Sequence, residues 1–248
     1  MNTLKSAQKA TDYYQENYYA KEGDITEGIW CGEGAKFSNK SGGCSIQEFK
    51  AALEGRLSAD VDLKGQKQVH RPGYDLTFSA PKSVSILAVI TKNPIILEAH
   101  RTAIDETLKY IEEHYGATRL KIDGQVQIEK THNLLAVQFE HTDSRALDPN
   151  LHTHTVTMNA TKRENGQWRT LYFDEIYENK MLFGAIYRGL LAQKLMKGGF
   201  EITQTDQTGL FELKGFPQAL IKQMSKRRAQ IVTDYEQSEA VASQQQRL

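Results

Sequence analysis

Two stretches of the chain, residues 132–142 (HNLLAVQFEHT) and 152–163 (HTHTVTMNATKR), are rich in apolar and β-branched residues. The nine residues between them, DSRALDPNL, carry the Asp, Ser, Pro and Asn that mark a loop, so the pattern predicts two antiparallel neighbouring strands. Upstream, GYDLTFSA from Gly73 reads as a strand with Asp75 and Thr77 on one face and Tyr74, Leu76 and Phe78 on the other. Pro81 suits a first helical position, and KSVSILAVI continues that helix. Leu97, Ile104, Leu108 and Ile111 give a helical apolar period over residues 94–115. Asp123-Gly124 predicts a hairpin within 118–130, and Glu164-Asn165-Gly166-Gln167 a turn into the strand WRTLYF.

Before these elements, residues 3–16 read as a helix, residues 32–43 as a Gly-rich polar loop, and Ser45 with Glu48 as a capping box for a helix over Ile46–Leu57. After them, a long helix is expected over 174–197 with Leu182, Ile186, Leu190 and Leu191 facing the core, then strands at 200–204 and 209–213 and a basic helical tail. Helices and strands interleave without a regular βαβ repeat, and the central hairpins are antiparallel, which predicts an α+β fold.

Composition narrows the possibilities. With 248 residues the chain suffices for one large domain or two small ones, and 39% hydrophobic with 25% charged residues is ordinary for a globular protein. No charged leader with an apolar core and no long apolar run is present, so the expectation is a cytoplasmic protein without an integral membrane segment. Cys31 and Cys44 are too few for a disulfide framework and read as reduced thiols. The spacing of a phosphate-binding P-loop is absent, which excludes a nucleotide motor within this sequence. A formal net charge of +0 argues against coating nucleic acid through bulk electrostatics, although residues 181–230 carry eight Lys and Arg against three Asp and Glu.

The chemistry concentrates between Phe139 and Thr157. His152 and His154 share one face of a strand, and His141 joins them if the two strands pair across the loop. Three imidazoles with an open side describe a catalytic metal site better than a closed structural one. Imidazoles suit zinc, nickel, copper or manganese, whereas the phosphate oxygens and water that would complete the shell suit magnesium or manganese. The expectation is one divalent ion, Mg or Mn in the cell, with Zn, Ni or Cu accepted in vitro. Four of the eleven tyrosines, Tyr13, Tyr14, Tyr18 and Tyr19, stand as two adjacent pairs within seven positions. Adjacent helical positions diverge by about 100°, so core packing does not ask for both members of a pair, and a tyrosine can act as a covalent nucleophile. Arg145 and Lys82 are candidate phosphate contacts, and Trp30 and Trp168 candidate base-stacking residues.

Together, the paired tyrosines, PGYDLTFSAPKSVS (Pro72 to Ser85), the block FEHTDSR…DPNLHTH (Phe139 to His154) and NGQWR (Asn165 to Arg169) resemble the relaxase domain of conjugative plasmid-transfer proteins. The resemblance is to the F-plasmid-like (MOB-F) class of the HUH endonucleases and covers about residues 5–230. It implies an antiparallel sheet flanked by helices with the histidines on the sheet, a relaxase domain over 1–230, and a helical tail or linker over 231–248.

The implied reaction is metal-assisted transesterification of single-stranded DNA at a plasmid transfer origin, leaving a 3′-OH and a 5′-phosphotyrosine. Tyr13 would be the nucleophile and Tyr18 would serve a second strand transfer, while the short spacer QEN leaves the division of labour with Tyr14 and Tyr19 open. Asp75 takes the position of a carboxylate near the histidines, orienting an imidazole or accepting the phenol proton. Implied partners are the transfer-origin strand, relaxosome accessory proteins and a type IV secretion coupling protein, with passage into a recipient cell alongside the DNA. Relatives usually carry a helicase after this domain, so a fragment or a motor-less protein is expected. The rival readings are a rolling-circle replication initiator, a non-catalytic single-stranded DNA binding module, and a metal-dependent hydrolase that acts through water.

Overall fold

The structure is a computed structural model that describes residues 28–58, 60–63, 71–144, 146–226 and 233, together with the backbone of the strand Asn2–Thr3. In chain order the elements begin with β1 (Asn2–Thr3), β2 (Gly28–Cys31), α1 (Glu33–Phe37), β3 (Gly43–Cys44), α2 (Ile46–Leu53), β4 (Arg56–Ser58), β5 (Val61–Asp62) and β6 (Gly73–Ser79). Next come α3 (Lys82–Thr91), α4 (Pro94–Tyr115), β7 (Ala117–Ile122), β8 (Gln125–Lys130), β9 (Ala136–Asp143), β10 (Pro149–Met158), β11 (Thr161–Lys162) and β12 (Trp168–Arg169). The described chain closes with α5 (Asp174–Glu178), α6 (Lys180–Lys197), β13 (Ile202–Gln204), β14 (Phe211–Leu213) and α7 (Gln218–Gln223).

Six strands form an antiparallel sheet in the order β1-β6-β10-β9-β2-β3, with β10 paired on both sides. Alternation along each strand sorts side chains between the two faces. Tyr74, Leu76 and Phe78 of β6 point to a core shared with Val84 of α3, Ile104 of α4 and Phe183, Tyr187 and Leu191 of α6. Val137 of β9 and Val156 and Met158 of β10 point the other way, to a second core closed by Phe49 and Leu53 of α2 and by Trp30. The sheet is thus covered on both faces, and the α+β expectation holds.

Several element predictions match. Helix α4 spans Pro94–Tyr115, capped by the Asn93 side chain, with the proline in its first turn, where a missing N–H costs nothing. The hairpin β7–β8 turns at Asp123 and Gly124, both with positive φ, as a type I′ turn requires. Ser45 and Glu48 form the reciprocal capping box of α2.

Other boundaries move. Helix α2 stops at Leu53 because Gly55 adopts a positive φ and Arg56–Ser58 forms a strand. The Gly-rich stretch after Gly32 holds the short helix α1. Pro81 is the N-cap of α3, with an extended ψ of 155°, not its first helical residue. Of the expected helix over 3–16, Thr3 is strand and the remainder lies outside the described residues. The long helix over 174–197 is two helices that break at Asn179, and α6 buries Phe183, Tyr187, Leu191 and Leu195 while Leu182 is exposed. Trp30 belongs to the second core, with Lys40 over its ring, so it is no base-stacking surface. Strand β12 takes only Trp168–Arg169 of the predicted WRTLYF run.

Candidate active site

Strands β9, β10 and β6 bring the site together. His152 stands directly opposite His141 in the β9–β10 register, and His154 opposite Thr77 in the β10–β6 register. The loop from Ser144 to Asp148 folds back as its composition predicts, helped by the Ser144 hydroxyl, which accepts from the N–H groups of Ala146 and Asp148. All three imidazoles are buried, 5–7% exposed, with ring centroids 5.3 Å (His141–His152), 5.6 Å (His141–His154) and 5.0 Å (His152–His154) apart.

Their polar partners define the tautomers. His154 Nδ1 lies 2.7 Å from Asp75 Oδ2, and Asp75 is itself buried. His152 Nδ1 lies 2.8 Å from the backbone carbonyl oxygen of Asn150, a pure acceptor. Both Nδ1 atoms therefore donate, which assigns the lone pair to Nε2 in each ring. The Thr77 hydroxyl bonds Asp75 Oδ1 at 3.3 Å, steadying the carboxylate. Burial, reinforced by repulsion between the rings, lowers the His141 pKa to about 2 and also depresses that of His152. A neutral imidazole is the form that binds a metal.

The donor set fits a divalent ion. Rings bonded through Nε2 at about 2.1 Å with tetrahedral angles would have centroids roughly 5 Å apart, close to the spacing found here. As they stand, no three His, Cys, Asp or Glu side chains among the described residues are placed to hold a metal ion together. The Asp75 and Asn150 contacts are the outer partners that ligand imidazoles use to fix ring orientation.

Where β6 ends and β10 begins lies a cleft of about 690 Å³, lined by Ser79, Lys82, Asn150, Arg188 and Glu212 among others. Lys82 reaches this cleft, and its ammonium donates to the Pro149 carbonyl at 2.8 Å, pinning the start of β10. Burial lowers the Lys82 pKa, against the opposing pull of Asp148 and Glu212. Arg188 was not singled out from the sequence; its place on α6 beside the cleft depends on helix packing that periodicity does not encode. Tyr13, Tyr14, Tyr18, Tyr19 and Arg145 lie outside the described residues. The strands that bracket the tyrosines are placed informatively: β1 pairs with β6 and β2 with β9, on either side of the histidine strands.

The chain belongs to the TrwC relaxase family, whose profile matches residues 5–247. It is 37% identical over 230 residues to the multifunctional conjugation protein TraI of Escherichia coli, a match covering 87% of this chain and 13% of that protein's length. The conjugative relaxase TrwC in complex with OriT DNA, in its metal-bound structure, superposes with a TM-score of 0.85 at 35% identity, covering 95% of this chain and 81% of TrwC. Its copper-bound structure gives a TM-score of 0.84 at 37% identity, covering 96% and 82%. No helix among the described residues is long and apolar enough to cross a membrane.

Proposed function

We propose that this chain nicks and rejoins one strand of DNA at a plasmid transfer origin, initiating conjugative transfer, by transesterification to a tyrosine. The observation that carries the reading is the buried trio His141, His152 and His154 backed by Asp75, in a chain of a family whose structures include metal-bound and OriT DNA complexes. His141, His152 and His154 would hold one divalent ion, magnesium or manganese in the cell, which supplies charge to polarise a non-bridging phosphate oxygen.

The protein's own groups do the rest. Tyr13 is the nucleophile: its phenol oxygen forms a bond to phosphorus as the bond from phosphorus to the 3′ oxygen breaks, and the departing oxygen takes up a proton to become the 3′-OH. In sequence Tyr13 falls between β1 and β2, which pair on either side of the histidine strands. Asp75 orients His154 through Nδ1 instead of serving as a base, since an ionised carboxylate is weakly basic towards a phenol whose pKa is about 10. Lys82 and Arg188 line the cleft at the end of β6 and suit the strand's phosphates, with Arg145 a further phosphate contact. The 5′-phosphotyrosine keeps a phosphodiester, so the reverse reaction needs no ATP. Tyr18 serves the second transfer that ends the process. In the cell, accessory proteins of the transfer origin and a secretion coupling protein complete the assembly, and the domain works from the cytoplasm.

The test is strand exchange. A cleaved single strand, offered a second strand with a free 3′-OH and no nucleotide, should be rejoined to it. Release of a free 5′-phosphate instead would identify a hydrolase acting through water.

A further inference from the structure

The side of the sheet opposite the histidines holds a second polar arrangement. His100 of α4 is fully buried, and both its ring nitrogens are bonded. Nδ1 stands 2.7 Å from the Tyr187 hydroxyl on α6, and Nε2 stands 2.9 Å from the Thr153 hydroxyl on β10. Thr153 is the residue between His152 and His154, so its side chain points away from theirs. Burial, with repulsion from His152 and Arg101, holds the His100 pKa down at about 3. The ring is therefore neutral, with one nitrogen donating and the other accepting, and each neighbouring hydroxyl can fill either role.

Two comparisons show that this contact is selective. Thr155 and Thr157 follow on the same face of β10, equally buried, yet their hydroxyls have no hydrogen-bond partner among the described residues. Only the threonine between the two histidines is held by a ring. Moreover, Thr153 pairs in register with Glu140, the residue before His141, and Glu140 accepts a bidentate contact from Arg101 at 2.7 and 2.8 Å. Consecutive residues of α4 thus grip the backs of both strands at the level where the three histidines emerge on the front.

We propose that His100 is a positioning residue for the metal site: acting through Thr153, with Tyr187 fixing its other nitrogen, it sets from behind the sheet the strand segment that presents His152 and His154. This rests on the reading of the histidines as metal ligands. Outer partners of a metal site affect affinity by about 10–100-fold when removed, and here the partner works through the backbone of the strand instead of through a ligand ring.

The experiment compares wild type, Thr153→Val, His100→Leu and His100→Gln, measuring Mn²⁺ affinity by calorimetry, thermal midpoint, and kcat and KM for cleavage of a transfer-origin strand. Thr153→Val keeps side-chain volume while removing the hydroxyl that His100 meets. The expected result is a Mn²⁺ Kd raised about 10-fold or more in Thr153→Val and His100→Leu, a lower kcat with an unchanged KM for DNA, and partial recovery in His100→Gln, whose amide can still meet the Thr153 hydroxyl. A lowered thermal midpoint with Mn²⁺ affinity within about twofold of wild type would assign His100 a purely structural role and overturn the proposal. Wild type that binds no Mn²⁺, or a His152→Ala control that binds it as tightly as wild type, would instead overturn the reading of the histidines, and the positioning proposal with it.

Discussion

Asp75 and His154 face each other across the β6–β10 pairing, Oδ2 to Nδ1 at 2.7 Å, both buried. The contact fixes the ring's tautomer and directs Nε2 towards the space shared with His141 and His152. Replacing Asp75 by Asn keeps a hydrogen-bond acceptor but removes the charge that makes the imidazole a better donor to a metal. Mn²⁺ affinity should fall about 10-fold or more in Asp75→Asn, with cleavage falling alongside, measured by calorimetry and single-turnover cleavage. Full affinity in that variant would remove Asp75 from the site.

The cleft where β6 ends and β10 begins should read the strand's backbone charge. Lys82→Gln should weaken single-stranded DNA binding on all sequences alike and reduce the salt slope of log K by about 0.7, one released counterion on a single strand. Nick position should stay unchanged, because a phosphate contact carries no sequence information. A binding isotherm series between low and physiological salt measures both.

Acid should destabilise the metal-free protein through its buried rings. His100 and His141 have folded-state pKa values depressed to about 3 and about 2, below the ordinary histidine value near 6.5. Below about pH 6.5 the unfolded chain takes up protons that the folded rings refuse, so their stabilising contribution is present above that pH and is lost as pH falls. Each ring should contribute a slope of up to about 1.4 kcal/mol per pH unit between roughly pH 6 and 4. Glu112, whose pKa burial raises, opposes part of this loss. Urea titrations at pH 7 and pH 5 in chelator give the difference, and His100→Gln should flatten it.

The helical core should respond as a close-packed interior. Leu191 is fully buried on α6 among the residues that cover the sheet. Leu191→Ala should cost about 2–5 kcal/mol in urea unfolding, while Leu182→Ala, at an exposed position of the same helix, should cost far less.

That last pair also marks a limit of sequence reading. The apolar residues of α6 admit two stripes one residue apart, and periodicity alone favoured Leu182 and Ile186. The break at Asn179 and the fit of Phe183 and Tyr187 beneath the sheet selected the other. By contrast, strands β6, β9 and β10 were readable because strict alternation forces Asp75 and Thr77, and likewise His152 and His154, onto common faces. Their assembly with His141 followed from the turn-rich residues between β9 and β10. The rear contact was not readable, since His100 meets partners 53 and 87 positions away in the chain. Arg188 was missed for the same reason: a lone arginine on an apolar helix has no local signature.

If a tyrosine and the histidine trio act together on DNA, one assay shows both. The protein is incubated with Mn²⁺ and labelled single strands tiling its own transfer region, alongside Tyr13→Phe and His152→Ala, and denatured products are resolved by size. The expected product is a denaturation-resistant protein–DNA adduct on one strand, absent in both variants and after chelation. Tight binding of these strands without any adduct would contradict it and leave a binding module, and an adduct undiminished in Tyr13→Phe would contradict the assignment of the nucleophile.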